Sequence, residues 1–133
     1  MPTEALKNAI RDIPDFPVPG IVFKDITPVL SDPQLFRSAI QQMVAALAEH
    51  KVDKIVGVDA RGFIFGAAMA LEMGVGFVPV RKAGKLPWKC ISETYELEYG
   101  SAKLELHEDA VTADENVVIV DDLLATGGTA EAV

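Results

Sequence analysis

Residues 117–129, VVIVDDLLATGGT, constrain this chain more than any other stretch. An unbroken apolar run such as Val117 to Val120 suits a strand covered on both faces, as in a parallel sheet. Asp121 and Asp122 follow at once, and the short segment Ala125, Thr126, Gly127, Gly128, Thr129 then opens a helix. In an open α/β sheet that place is the ligand crevice. Two adjacent glycines let backbone N–H groups approach an anion, the helix start adds its positive dipole end, and Thr126 and Thr129 offer hydroxyl donors. This describes a monophosphate cradle. The acid pair beside it suits sugar hydroxyls or a metal held through water, and phosphate plus diol acceptors suggests a ribose phosphate.

The rest of the chain reads as an α/β domain. Leu6, Ala9, Ile10 and Ile13 recur at helical spacing over 4–13 until Pro14 stops them. The loop 15–26, punctuated by Pro17, Pro19 and Gly20, leads into a short extended run at 21–23. Ser31 or Asp32 then caps a helix with Pro33 at its first position and Leu35, Phe36, Ile40, Met43, Val44 and Leu47 on one face. Strands are predicted at 55–58 and 77–80 with a helix at 62–73 between them, closed by Gly74. Alternation at 95–99 and 103–107 predicts an antiparallel hairpin turning near Gly100 and Ser101. The fold class is therefore α/β, with a central parallel sheet flanked by helices, a small N-terminal subdomain over 1–30 and a β excursion or lid at 81–107, all within one domain of 133 residues.

Charge and cysteine content remove several classes. A net charge of −8 opposes neutralising nucleic-acid phosphates. The longest apolar run, 62–71, is about half the roughly 18 residues of a membrane span, and charged residues fill the N-terminus where a signal peptide is apolar. A cytoplasmic location is expected. The single cysteine, Cys90, and the two histidines, His50 and His107, give no zinc spacing and read as structural. Gly57 and Gly62 lack the Lys and Ser/Thr of a P-loop, and 74–76 lacks the third glycine of a dinucleotide fingerprint.

Further candidates lie on other loops. The strand at 55–58 runs into Asp59, Ala60 and Arg61, where the guanidinium can clamp a phosphate or simply pair with Asp59. Arg81, Lys82, Lys85 and Lys89 place four bases in nine residues with no acid among them, a local sign reversal that suits a highly charged anion. Phe16 and Phe23 could stack on a flat ring or pack into core. Glu98 lies between bulky neighbours.

In order, PDFPVPGIVFKDITPVL, VDARGFIFGAA, VPVRKAGKLP, ETYELEYGSAKLELH and VVIVDDLLATGGTAEA resemble the adenine phosphoribosyltransferase branch of the type I phosphoribosyltransferases, across essentially the whole chain. The resemblance implies transfer of ribose 5-phosphate from phosphoribosyl pyrophosphate to N9 of adenine, giving AMP and pyrophosphate, with Mg²⁺. Ala125 to Thr129 would hold the 5′-phosphate, Asp121 and Asp122 the ribose hydroxyls, and Arg61, Lys82 and Lys85 the Mg-bound pyrophosphate. Mg²⁺ would be held mainly by the substrate, with Asp121 or Asp122 as a further ligand. Val22, Phe23 and Lys24 would face adenine, and Glu98, with Tyr99 beside it, would serve as general acid/base at N7. Asp59 and Ala60 fall where the family commonly places a strained peptide beside the pyrophosphate, and a mobile loop at 81–95 would act as a lid. Trp88, Lys89 and Cys90 depart from the more polar residues expected there. The resemblance further implies a homodimer, and Val133 falls inside the helix that Thr129 opens, so a C-terminally truncated chain is expected. Two other readings use the same loops: transfer to hypoxanthine, guanine or xanthine, and a non-catalytic ribose-phosphate-binding regulator or inactive truncated form.

Overall fold

The computed structural model describes residues 2–96, 101–122 and 131–133. The chain divides into two compact units, Met1–Ala46 and Leu47–Val133.

In the first unit, helix α1 spans Pro2–Ala9, strand β1 Arg11–Ile13, strand β2 Phe23–Asp25, helix α2 Thr27–Ser31 and helix α3 Pro33–Ala46. The helix expected over 4–13 thus stops at Ala9. The residue before a proline is biased away from helical angles, and Arg11–Ile13 instead pairs antiparallel with β2, Ile13 opposite Phe23. Two cross-strand ion pairs fix that register: Arg11 meets Asp25 at 2.9 Å, and Lys24 meets Asp12. The extended run expected at 21–23 is displaced to Phe23–Asp25 for the same reason. α2 was not anticipated. Asp25 Oδ1 accepts from both the amide and the hydroxyl of Thr27 at its start, and these bonds, with Arg11 adding, hold the Asp25 carboxyl below the usual carboxylate range. α3 follows expectation, with Asp32 Oδ1 accepting the amides of Gln34 and Leu35 at 2.9 and 3.2 Å.

In the second unit, strand β3 (Lys54–Val58), helix α4 (Arg61–Met73), strand β4 (Gly76–Lys82), the hairpin strands β5 (Cys90–Glu96) and β6 (Ser101–His107), and strand β7 (Val117–Val120) form one five-stranded sheet ordered β5-β6-β4-β3-β7. β7, β3 and β4 are parallel, and β6 adds antiparallel to β4 at Arg81↔Glu105 and Lys82↔Leu104. The sheet is therefore mixed, with the predicted parallel strands at its centre. Ile55, Val58, Val80 and Met69 are almost wholly buried. β3 passes under α4 because Gly57 and Gly66 leave room for the Phe77 ring between them. Gly74 ends α4 in the left-handed conformation, φ 70°. Among the described residues β7 is at the edge of the sheet, and Val117 and Ile119 are 39% and 42% exposed.

The hairpin begins earlier than its alternation suggested, at Cys90. Of the stretch 81–95 read as mobile loop, only 83–89 lies outside strands, because the β-propensity of Cys90 to Tyr95 is used in a ladder along β6. The connection 108–116 is docked on the base of β3: Lys54 Nζ donates to Ala110 O at 2.7 Å and to Glu115 Oε1 at 3.0 Å.

Candidate active site

The three parallel strands deliver their C-terminal ends to one edge of the sheet, and the charged candidates gather there. β3 ends at Val58 and hands over to Asp59, Ala60 and Arg61; β4 ends in Arg81 and Lys82; β7 ends at Val120, before Asp121 and Asp122. That edge is where open α/β sheets bind ligands. The β3 turn is drawn against β4 by the Asp59 amide, which donates to Val80 O at 2.9 Å. The Asp59–Ala60 peptide is cis.

Two ion pairs cross this edge. Arg61 Nε lies 2.9 Å from Asp122 Oδ2, with the Asp122 side chain only 8% exposed. Arg81 Nε lies 3.5 Å from Asp59 Oδ2, an ion-pair contact without hydrogen-bond alignment. Where the sequence allowed a local pairing of Arg61 with Asp59, the structure pairs Arg61 with Asp122. Each arginine instead binds the acid of a neighbouring strand, so β3 is tied to β7 on one side and to β4 on the other. Arg81 was recognised only as one member of a basic cluster. Its partnership with Asp59 depends on the β3–β4 register, which puts Val58 opposite Val80 and which local sequence does not reveal.

Asp121 and Asp122 differ although adjacent. Asp122 is engaged by Arg61, while Asp121 Oδ1 accepts the Asp122 amide at 2.8 Å. Burial holds the Asp121 carboxyl above the ordinary aspartate range, with the Asp122 charge adding to the effect and the Asp122 amide and Arg61 opposing it. Gly62 explains how the helix reaches this point. A Cβ there would lie 2.6 Å from Val120 O and 3.2 Å from Asp121 Cα, so only glycine lets the first turn of α4 abut the end of β7.

Lys82 is exposed at the tip of β4, and Lys85 is exposed in the loop 83–89. Val22, Phe23 and Lys24 lie in the first unit. Val22 is 56% exposed, the Phe23 ring meets Phe16 edge-on with centroids 5.3 Å apart, and the Lys24 amine is taken by Asp12. The loop before them is closed by Phe16 N to Ile21 O and by Gly20 N to Asp15 Oδ1. Glu98, Tyr99, Ala125, Thr126, Gly127, Gly128 and Thr129 lie outside the described residues.

Comparison with known proteins sets the class first. The family profile described as phosphoribosyl transferase domain matches residues 29–133. Adenine phosphoribosyltransferase from Thermosipho melanesiensis is 58% identical over 132 residues, 99% of this chain and 75% of that protein. The crystal structure of adenine phosphoribosyltransferase from Thermoanaerobacter pseudethanolicus superposes with a TM-score of 0.95 at 58% identity, covering 97% of this chain and 75% of the other. The Saccharomyces cerevisiae enzyme, complexed with an imino-altritol bisphosphate and adenine, gives 0.93 at 49% identity, covering 98% and 77%. The chain belongs to the adenine phosphoribosyltransferase family.

Proposed function

We propose that this chain transfers ribose 5-phosphate from phosphoribosyl pyrophosphate to N9 of adenine, giving AMP and pyrophosphate in purine salvage. The observation that carries this reading is the gathering of Asp59, Arg61, Arg81, Lys82, Asp121 and Asp122 at the carboxyl ends of three parallel strands, in a chain 58% identical to an adenine phosphoribosyltransferase.

The roles follow from the chemistry of each group. Ala125 to Thr129 hold the 5′-phosphate through backbone N–H and hydroxyl donors. Asp121, whose Oδ1 also takes the Asp122 amide, accepts from the ribose hydroxyls, with Asp122 beside it. Lys82, Lys85 and the Arg61 guanidinium stabilise the charge that develops on the departing pyrophosphate, and the Asp59–Ala60 turn lines its path. As the bond from the anomeric carbon to pyrophosphate breaks, N9 of adenine bonds to that carbon, and Glu98, with Tyr99 beside it, manages the purine proton at N7. Val22, Phe23 and Lys24 face the base, mainly through backbone and stacking. Residues 1–133 thus act as one phosphoribosyltransferase domain, with 1–30 as the base-binding segment.

The protein donors suit Mg²⁺ that keeps waters and substrate phosphates. Among the described residues no three His, Cys, Asp or Glu side chains cluster to cage a metal, and Asp121 and Asp122 follow directly on the end of β7. Asp121 or Asp122 would hold Mg²⁺ together with the pyrophosphate, and the ion would supply charge neutralisation to the leaving group. Among the described residues no helix is long and apolar enough to cross a membrane. A cytoplasmic homodimer without nucleic-acid or membrane partners fits the resemblance and the net charge of −8.

The test is product analysis by chromatography with adenine, hypoxanthine and guanine supplied separately, each with phosphoribosyl pyrophosphate and Mg²⁺. AMP from adenine alone is the expected result. Nucleotide from another base with none from adenine would overturn the substrate, and binding of phosphoribosyl pyrophosphate without product from any base would leave a ribose-phosphate-binding protein.

A further inference from the structure

The loop 83–89 crosses over β6. It leaves β4 on one side of that strand and enters β5 on the other, since β6 lies between them in the sheet. Glu105 and His107 are two residues apart on β6 and so share a face, opposite the face through which Leu104 enters the core. Their side chains tie down the two ends of the crossing. Glu105 Oε1 accepts the Gly84 amide at 2.9 Å, and His107 Nε2 accepts the Trp88 amide at 3.4 Å. Backbone and thiol contacts reinforce both ends: Ala83 N donates to Lys103 O at 3.0 Å, Glu108 N to Lys89 O at 2.9 Å, and Cys90 Sγ to Trp88 O at 3.2 Å. Burial and the charges of Glu105 and Glu108 push the Cys90 thiol up, which keeps it a donor. Gly84 turns at φ 86°, the left-handed region. What lies between the ties is an arch with Lys85 at its near end.

We propose that Glu105 and His107 are positioning residues that hold this loop as a fixed arch and thereby set where Lys85 meets the pyrophosphate. The inference rests on the reading of Lys85 given above. A carboxylate accepting an amide makes the stronger tie, so Glu105 carries more of the effect than His107. Neither touches substrate. Their removal weakens binding of phosphoribosyl pyrophosphate without slowing the chemistry at saturation, because the arch is still present but spends less time in the productive geometry.

The experiment compares the parent chain with Glu105→Leu, Glu105→Gln, His107→Leu and Lys85→Ala in steady-state kinetics, with amide exchange at Gly84 and Trp88 followed by NMR. Glu105→Leu is expected to raise KM for phosphoribosyl pyrophosphate about tenfold with kcat within about twofold, and His107→Leu about threefold, as befits loss of one hydrogen bond each. Glu105→Gln, which retains an acceptor oxygen, should restore KM to near the parent value, and exchange at Gly84 and Trp88 should accelerate only where the matching acceptor is lost. A raised KM in Lys85→Ala beside unchanged KM in both leucine variants would overturn the positioning role. Unchanged KM in Lys85→Ala would overturn the Lys85 reading itself, while exchange at the two amides reports separately on the ties. Should Glu105→Leu fail to fold, His107→Leu beside Lys85→Ala carries the comparison.

Discussion

Replacing Gly62 with alanine is expected to strike stability and the site together. The added Cβ would sit 2.6 Å from Val120 O, 3.2 Å from Asp121 Cα and 3.3 Å from Asp121 Oδ1. The first two are backbone atoms, so no side-chain rotation relieves the contact. Ordinary separation requires the start of α4 and the end of β7 to part by about 1 Å. Overpacking of this kind costs about 1–3 kcal/mol, and the better helix propensity of alanine offsets at most about 1 kcal/mol of it. The displacement falls on Asp121 and on the 2.9 Å ion pair of Arg61 with Asp122 that spans the same gap. KM for phosphoribosyl pyrophosphate should therefore rise as stability falls. Gly74→Ala provides the contrast: at φ 70° it is strained by about 1–2 kcal/mol, yet a Cβ there meets nothing within 4 Å, and it lies at the far end of α4. It should lower stability and leave KM alone. Urea unfolding and initial rates at saturating adenine read both quantities. A Gly62→Ala protein that unfolds and binds phosphoribosyl pyrophosphate like the parent would refute the close approach of α4 to β7.

Asp121→Asn keeps the Oδ1 acceptor for the Asp122 amide but removes a carboxyl that burial holds above its usual 3.8. The native state then keeps this proton to higher pH than the unfolded chain, so the group's stabilisation is full below the unfolded value and is lost as pH rises through the native one. In urea melts the variant should gain on the parent between acid and neutral pH, while binding phosphoribosyl pyrophosphate more weakly; parallel pH profiles would mean that Asp121 is not desolvated. Glu98→Gln should lower kcat by about 10²- to 10⁴-fold with sugar-phosphate affinity little changed, and equal activity would remove Glu98 from the mechanism. Asp32→Ala should destabilise the chain by about 1 kcal/mol through loss of the α3 cap, measured by thermal or urea unfolding, without altering KM. Lys82→Gln should weaken substrate binding more at low than at physiological ionic strength, where screening sets in beyond about 8 Å; a salt-independent deficit would point to a structural role.

The strands were legible where one residue class filled them. VVIV at 117–120 could be placed to the residue, and the helix after Asp59 to within one position, because apolar continuity and the Gly74 stop act locally. The N-terminal helix was overextended because Ile10 and Ile13 fit a helical face as well as they fit a strand. The decision lay with Asp25 and Lys24, more than ten residues away. The site shows the same divide. Asp59, Arg61, Asp121 and Asp122 could be nominated from strand ends and loop chemistry, but the pairing of Arg61 with Asp122 and of Arg81 with Asp59 depends on strand order, which no local pattern encodes. His107 looked structural for a related reason: alternation put it on one face of β6 with Glu105, but only the crossing of 83–89 gave that face something to hold.

That pairing also resolves how a chain of net charge −8 can receive a polyanion. Arg61 and Arg81 each face a carboxylate, so at a distance the pairs contribute little field; they tie the ends of β7, β3 and β4 into one edge, and Arg61 acts on a leaving group only in contact with it. Lys82, Lys85 and Lys89 enter no ion pair among the described residues, and it is their charge that remains for a ligand. The division follows the side chains. A planar guanidinium suits a fixed contact with a carboxylate, whereas an ammonium on a flexible stem can follow a leaving group. Binding strength at this edge should therefore track the lysines, and the alignment of the reacting groups should track the arginines and the acids that hold them.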